Sequence, residues 1–174
     1  NGYSAMLHNS HGLLWVVRAA LLGSVILHIA AAFRLYAKNN AARPQRYQKK
    51  RDVATNYAAR TMMISGPLLI GFIVYHLAHL TLGVSPSAFE HSDTDVYSNV
   101  VHGFSVPWVA GLYIVSMLAL GNHLFHGTWS MFQTLGWNHT AYNQRLMRVA
   151  LGITLFVTLG NISIPLAVLV GIVR

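Results

Sequence analysis

Three histidines inside strongly apolar stretches, His28, His76 and His123, are the residues of this 174-residue chain best suited to chemistry. An imidazole in hydrocarbon is costly, and where it persists it marks a cofactor, an ion or a proton path. There is no cysteine, so the chain itself offers neither thioether attachment of haem nor thiolate ligation of an iron–sulfur cluster. Axial ligation of haem held without a covalent link is the first chemistry that such buried neutral imidazoles suggest. For any single histidine the competing role is a hydrogen bond to a neighbouring helix; three at paired depths favour haem. His79 and His126 each lie three residues from a candidate and share nearly its helix face. Both are expected nearer the membrane surface, where a wetted imidazole needs no special role, and either is an alternative to its neighbour as ligand.

The elements that must position these residues are membrane spans. Hydrophobic residues make up 54% of the chain and charged ones only 9%, against about a quarter in soluble domains. Apolar segments at about 13–36, 62–84, 106–127 and 149–173 each approach or exceed the roughly 20 residues that cross a hydrocarbon core of about 30 Å. None alternates as a strand would, and an open strand cannot satisfy its backbone in lipid. The fold class expected is an all-α integral membrane protein, a transmembrane helix bundle forming one haem-binding domain over 1–174.

The net charge of +8 is not that of a nucleic-acid-binding protein, because eight of the twelve Lys and Arg lie between Arg34 and Arg60, flanked by spans. By the positive-inside rule that loop, 37–61, faces the cytoplasm. The next loop carries Glu90, Asp93 and Asp95 with no Lys or Arg and is expected outside, whereas the third returns to basic with Arg145 and Arg148. Asn1 then lies outside, and a fifth span is expected upstream of it. The setting implied is a membrane crossed several times.

Counting about 1.5 Å per residue from the cytoplasmic ends puts His28 roughly 12 Å deep, His123 roughly 6 Å or slightly more, and His76 roughly 21 Å. His28 and His123 can therefore clamp one iron. His76 requires another partner: a histidine on the upstream span, or failing that His8 or His11. Arg18, isolated inside the first span, either meets a haem propionate or snorkels to headgroups. Arg34 and Arg60, at the inner boundary, either serve the inner haem's propionates or belong only to the basic loop. Gly23, Gly66, Gly71, Gly111 and Gly121 would admit a flat macrocycle, although small residues more often serve helix packing. Trp15, Trp108, Trp129, Trp137 and Tyr142 are expected in the interfacial belts.

In order along the chain, LLWVVRAALLGSVILHIAAAFRL, NNAARPQRY, RTMMISGPLLIGFIVYHLAHLTLG, VYSNVVHGF, PWVAGLYIVSMLALGNHLFHGTWSMFQTLG and ISIPLAVLVG resemble the dihaem cytochrome b membrane anchor of bacterial succinate:quinone oxidoreductases. That family has five helices, and this chain resembles the second to fifth. The resemblance implies that His28 and His123 hold the haem b nearer the cytoplasm. It implies that His76 holds the outer haem b together with a ligand from the missing helix. It also implies partners, a flavoprotein subunit that oxidises succinate and an iron–sulfur subunit that passes electrons to the anchor, and a quinone acceptor, menaquinone in this type. The chain would then be a subunit of an enzyme, docking the soluble subunits on its basic face and carrying electron transfer but not succinate oxidation.

Two other readings compete. One is a cytochrome b serving another quinone-linked dehydrogenase, such as a hydrogenase or formate dehydrogenase. Quinol:cytochrome c reductase is disfavoured, because its cytochrome b takes two histidines several turns apart from a single helix. The other is a haem-free transporter or scaffold, for which broken helices at a midplane site are expected; Pro67 is the only candidate break, since Pro107 and Pro165 lie near span ends.

Overall fold

The computed structural model describes residues 2, 6, 10–42, 57–84 and 90–174. Among them the protein is all-α: α1 His11–Ala41, α2 Tyr57–Leu80, α3 Val96–Phe104, α4 Pro107–Thr134 and α5 Asn143–Leu169. Four of these, all but α3, are long and apolar enough to cross a bilayer, which makes this a membrane protein. Contacts divide the chain into two compact units, Asn1–Val53 and Ala54–Arg174. Most of the basic loop, His8 and the side chain of His11 lie outside the described residues.

In the first unit α1 is 31 residues long, about 46 Å at the helical rise and more than a hydrocarbon core requires. Its apolar side chains, Leu21, Leu22 and Leu27 among them, are exposed, as suits a surface whose solvent is lipid. The one hydroxyl in its middle is satisfied locally, Ser24 Oγ donating to the Ala20 carbonyl at 2.7 Å. Lys38 lies in the last turn, where a cation complements the helix dipole.

The second unit is built on α4. Ser65 of α2 meets His123, and His76 meets Tyr113 ten residues earlier on α4; rising numbers on one helix match falling numbers on the other, so α2 and α4 are antiparallel. α5 returns along α4, with Gly121 against Thr158 at one level and Val109 and Val168 in one core at another. An added Cβ at Gly121 would lie 2.6 Å from Thr158 Oγ1, so this glycine serves close helix packing rather than the approach of a macrocycle. Pro67 is accommodated inside a continuous α2 and Pro165 inside α5; neither marks a broken helix. Pro107 occupies the first turn of α4, where its missing N–H is no loss.

Several boundaries differ from the hydropathy reading. α2 begins five residues earlier and ends at Leu80, where Gly83 at φ 70° closes the turn against His91. α4 continues to Thr134 and α5 starts at Asn143, because polar residues at the ends of a span remain helical once outside hydrocarbon. The segment expected as an outer loop contains α3. Its N-cap is Asp95, whose carboxylate accepts from Ser98 N at 3.1 Å and from Ser98 Oγ at 2.7 Å. Just before it, Asn99 clamps Ser92 from both sides, accepting from its N–H and donating to its carbonyl. α3 closes one end of the unit. Phe104 joins Val109, Ala110, Tyr113 and Val168 in the buried core, with Phe72, Tyr75 and Leu80 packed on it.

Candidate functional site

Imidazoles and hydroxyls meet at two levels of the second unit. At one, Ser65 Oγ lies 3.2 Å from His123 Nδ1 and 3.4 Å from the Met62 carbonyl. Ser65 is buried, and Gly66 beside it leaves room, an added Cβ there standing 3.9 Å from His123 Cε1. One turn away Asn122 donates to Thr61 Oγ1 at 2.6 Å, and Thr61 is also within reach of the Tyr57 and Ala58 carbonyls.

At the other level the hydroxyl of Tyr113 lies 3.0 Å from His79 Nδ1 and 3.3 Å from His76 Nδ1. Tyr113 is buried with aromatic rings around it: Phe104 and Phe72 edge-on at 4.8 and 5.0 Å, Tyr75 at 6.0 Å. The two levels are eleven residues apart along α2, from Ser65 to His76, or about 16 Å at the helical rise.

His79 departs from expectation. Rather than a wetted surface imidazole it is 2% exposed. It is stacked with Tyr75 at 5.6 Å and roofed by α3, where an added Cβ at Gly103 would stand 2.8 Å from its Cε1 and 2.9 Å from its Nε2. The linear depth count missed this because α3 folds back over the end of α2. His126 is half-buried, and its Nδ1 is a buried atom without a hydrogen-bond partner; it too is no freely wetted side chain.

In the first unit His28, Arg18 and Arg34 lie on α1 and are exposed. Arg18 places its guanidinium 5.3 Å from the centre of the Trp15 ring, three residues before it on the same face. Arg60 belongs to the first turn of α2 and is exposed.

Compared with protein families, curated proteins and solved structures, this chain matches none.

The donor set bears on what such a site can hold. Among the described residues no three His, Asp or Glu side chains gather as a bare metal ion's shell would require. His123 and His76 instead each have Nδ1 within reach of a hydroxyl, that of Ser65 and that of Tyr113, the latter shared with His79. An imidazole that ligates through Nε2 must carry its proton on Nδ1 and donate it, and such an outer partner fixes both tautomer and ring orientation. Ser65 and Tyr113 are suited to that part, so His123 and His76 fit as single axial ligands to a group that brings its other donors with it. Tyr113 had no distinguishing mark in the sequence. Its only signal is register: in an antiparallel pair that sets Ser65 against His123, position 113 falls opposite His76.

Proposed function

We propose that this chain is the membrane anchor and haem b electron-transfer subunit of a bacterial succinate:quinone oxidoreductase, a succinate dehydrogenase or fumarate reductase. The observation that carries the reading is the pair of hydroxyl-held imidazoles, His123 and His76, on adjacent antiparallel helices about 16 Å apart. The ordered sequence resemblance and the four apolar helices support it.

His123 is paired with His28 as ligands of the inner haem b. His76 is assigned to an outer haem b. Bound there, haem takes up and passes on single electrons, with a potential set by its ligands and their surroundings. The protein's share is to hold each Nδ1 proton against a hydroxyl and to exclude water with Phe72, Phe104 and Val109. Arg18, Arg34 and Arg60 are assigned to propionates. The basic loop 37–61 docks the iron–sulfur subunit, behind which stands the flavoprotein, on the cytoplasmic side of the cell membrane. Quinone, menaquinone in this reading, takes the electrons.

A visible spectrum of the protein purified from membranes tests the reading. Low-spin haem b bands are expected, with His28→Ala and His123→Ala each removing one haem and His76→Ala the other. Succinate oxidation with an artificial acceptor should survive all three substitutions. A protein without haem bands, or full haem content in all three variants, would refute it.

A further inference from the structure

Tyr113 has one hydroxyl proton and two imidazole neighbours, His79 Nδ1 at 3.0 Å and His76 Nδ1 at 3.3 Å. Three proton arrangements are open to such a trio. The hydroxyl can donate to His79 and accept from His76, donate to His76 and accept from His79, or accept from both and leave its own hydrogen without an acceptor. The last wastes a buried donor inside the ring of Phe72, Phe104 and Tyr75. The other two differ in which imidazole exposes a lone pair at Nε2: His76 in the first, His79 in the second.

The surroundings choose between them. The outer edge of the His79 ring, Cε1 and Nε2, is pressed against Gly103 of α3 with less room than one methyl group, and the residue is 2% exposed. No porphyrin can approach that edge. His76 is only partly buried.

We propose that Tyr113 is a positioning residue for His76: its oxygen accepts the His76 Nδ1 proton, its own proton goes to His79 Nδ1, and His76 Nε2 is thereby kept as the ligating atom. His79 is then the terminal acceptor of a two-bond relay, which accounts for a second buried histidine one turn from the first. This rests on the reading of His76 as a haem ligand.

Tyr113→Phe keeps the ring and removes the hydroxyl, both the acceptor for His76 and the donor to His79. Loss of such an outer partner typically weakens a metal site on the order of 10–100-fold. Transfer of one haem from the purified complex to a haem-scavenging protein should therefore quicken by about that factor. The same haem's midpoint potential should rise, because an imidazole that no longer donates its Nδ1 proton is a weaker donor to iron, while the His123 haem is unmoved. His79→Gln, which still offers a carbonyl to the Tyr113 proton, should stay close to the original potential.

Unchanged transfer rate and potential in Tyr113→Phe would overturn the proposal. Equal shifts in Tyr113→Phe and His79→Gln would overturn the direction of the relay. Should Tyr113→Phe also lose the His123 haem, it has lost its fold. His79→Leu then decides: a rise in potential supports the relay and no change refutes it. Absence of haem from the unaltered protein would defeat the functional reading itself, and this inference with it.

Discussion

Gly103→Ala probes the roof over His79. The new methyl carbon would stand 2.8 Å from His79 Cε1 and 2.9 Å from Nε2, where unstrained carbon contacts lie at about 3.5–4.0 Å. Something must therefore move by roughly 0.6–1.2 Å, the difference between those distances. The ring cannot easily yield, since Tyr113 holds its Nδ1 and Tyr75 lies stacked along it. Overpacking of this kind costs about 1–3 kcal/mol. Replacing Gly by Ala in a helix returns at most about 1 kcal/mol. Gly111→Ala on α4, where an added Cβ meets nothing within 4 Å, collects the helical gain alone. The two variants should thus differ in stability by about 1–3 kcal/mol, about 5- to 150-fold in the folded-to-unfolded ratio at about 1.4 kcal/mol per decade.

Denaturant unfolding in a mild detergent, followed by circular dichroism, measures that difference. Introducing His79→Ala beside Gly103→Ala removes the obstacle, so the penalty of the second substitution should shrink by most of its value in a double-mutant cycle. If Gly103→Ala is as stable as Gly111→Ala, or costs the same with and without His79, the packing argument is wrong.

Asp95→Ala should remove the N-cap of α3 at a cost of about 1 kcal/mol; hydrogen exchange should quicken over α3 and leave α4 protected. Gly121→Val should part α4 from α5 by driving a branched side chain into Thr158, costing about 1–3 kcal/mol, and adding Thr158→Ala should restore much of the loss on a melting curve. A cysteine introduced at Gln48 should resist an impermeant thiol reagent applied outside intact cells and react once the membrane is opened, as the positive-inside rule requires.

The four spans were legible because continuous apolarity over more than 20 residues has few other uses. Their ends were not, since Tyr57, Thr61, Gln133 and Asn143 are polar enough to stop a hydropathy window and still helical enough to extend a helix. α3 was missed for a different reason: nine residues are too few for a span. Yet Val96, Val100, Val101 and Phe104 repeat at helical spacing behind Asp95, and that pattern signals a short capped helix. His76 and His123 could be singled out by type alone, because imidazoles in hydrocarbon are rare. Ser65 and Tyr113 could not, as hydroxyls are common in spans and only the antiparallel register tells which of them meets a histidine. The burial of His79 depends on Gly103, 24 residues further along, and no local pattern reports a contact at that distance.

The sharing of Tyr113 also constrains how the chain is made. His76 and His79 emerge from the ribosome with α2, whereas the hydroxyl that meets both lies on α4, with the whole of α3 between them. An α2 that entered lipid alone would carry two imidazoles with neither hydrogen bond made, at a cost of about 1–3 kcal/mol or more for each. Membrane insertion of α2 is therefore most favourable when it waits for α4 and enters as a pair. α3 packs against both members of that pair, so the end of the bundle that encloses His79 is completed only after they have met.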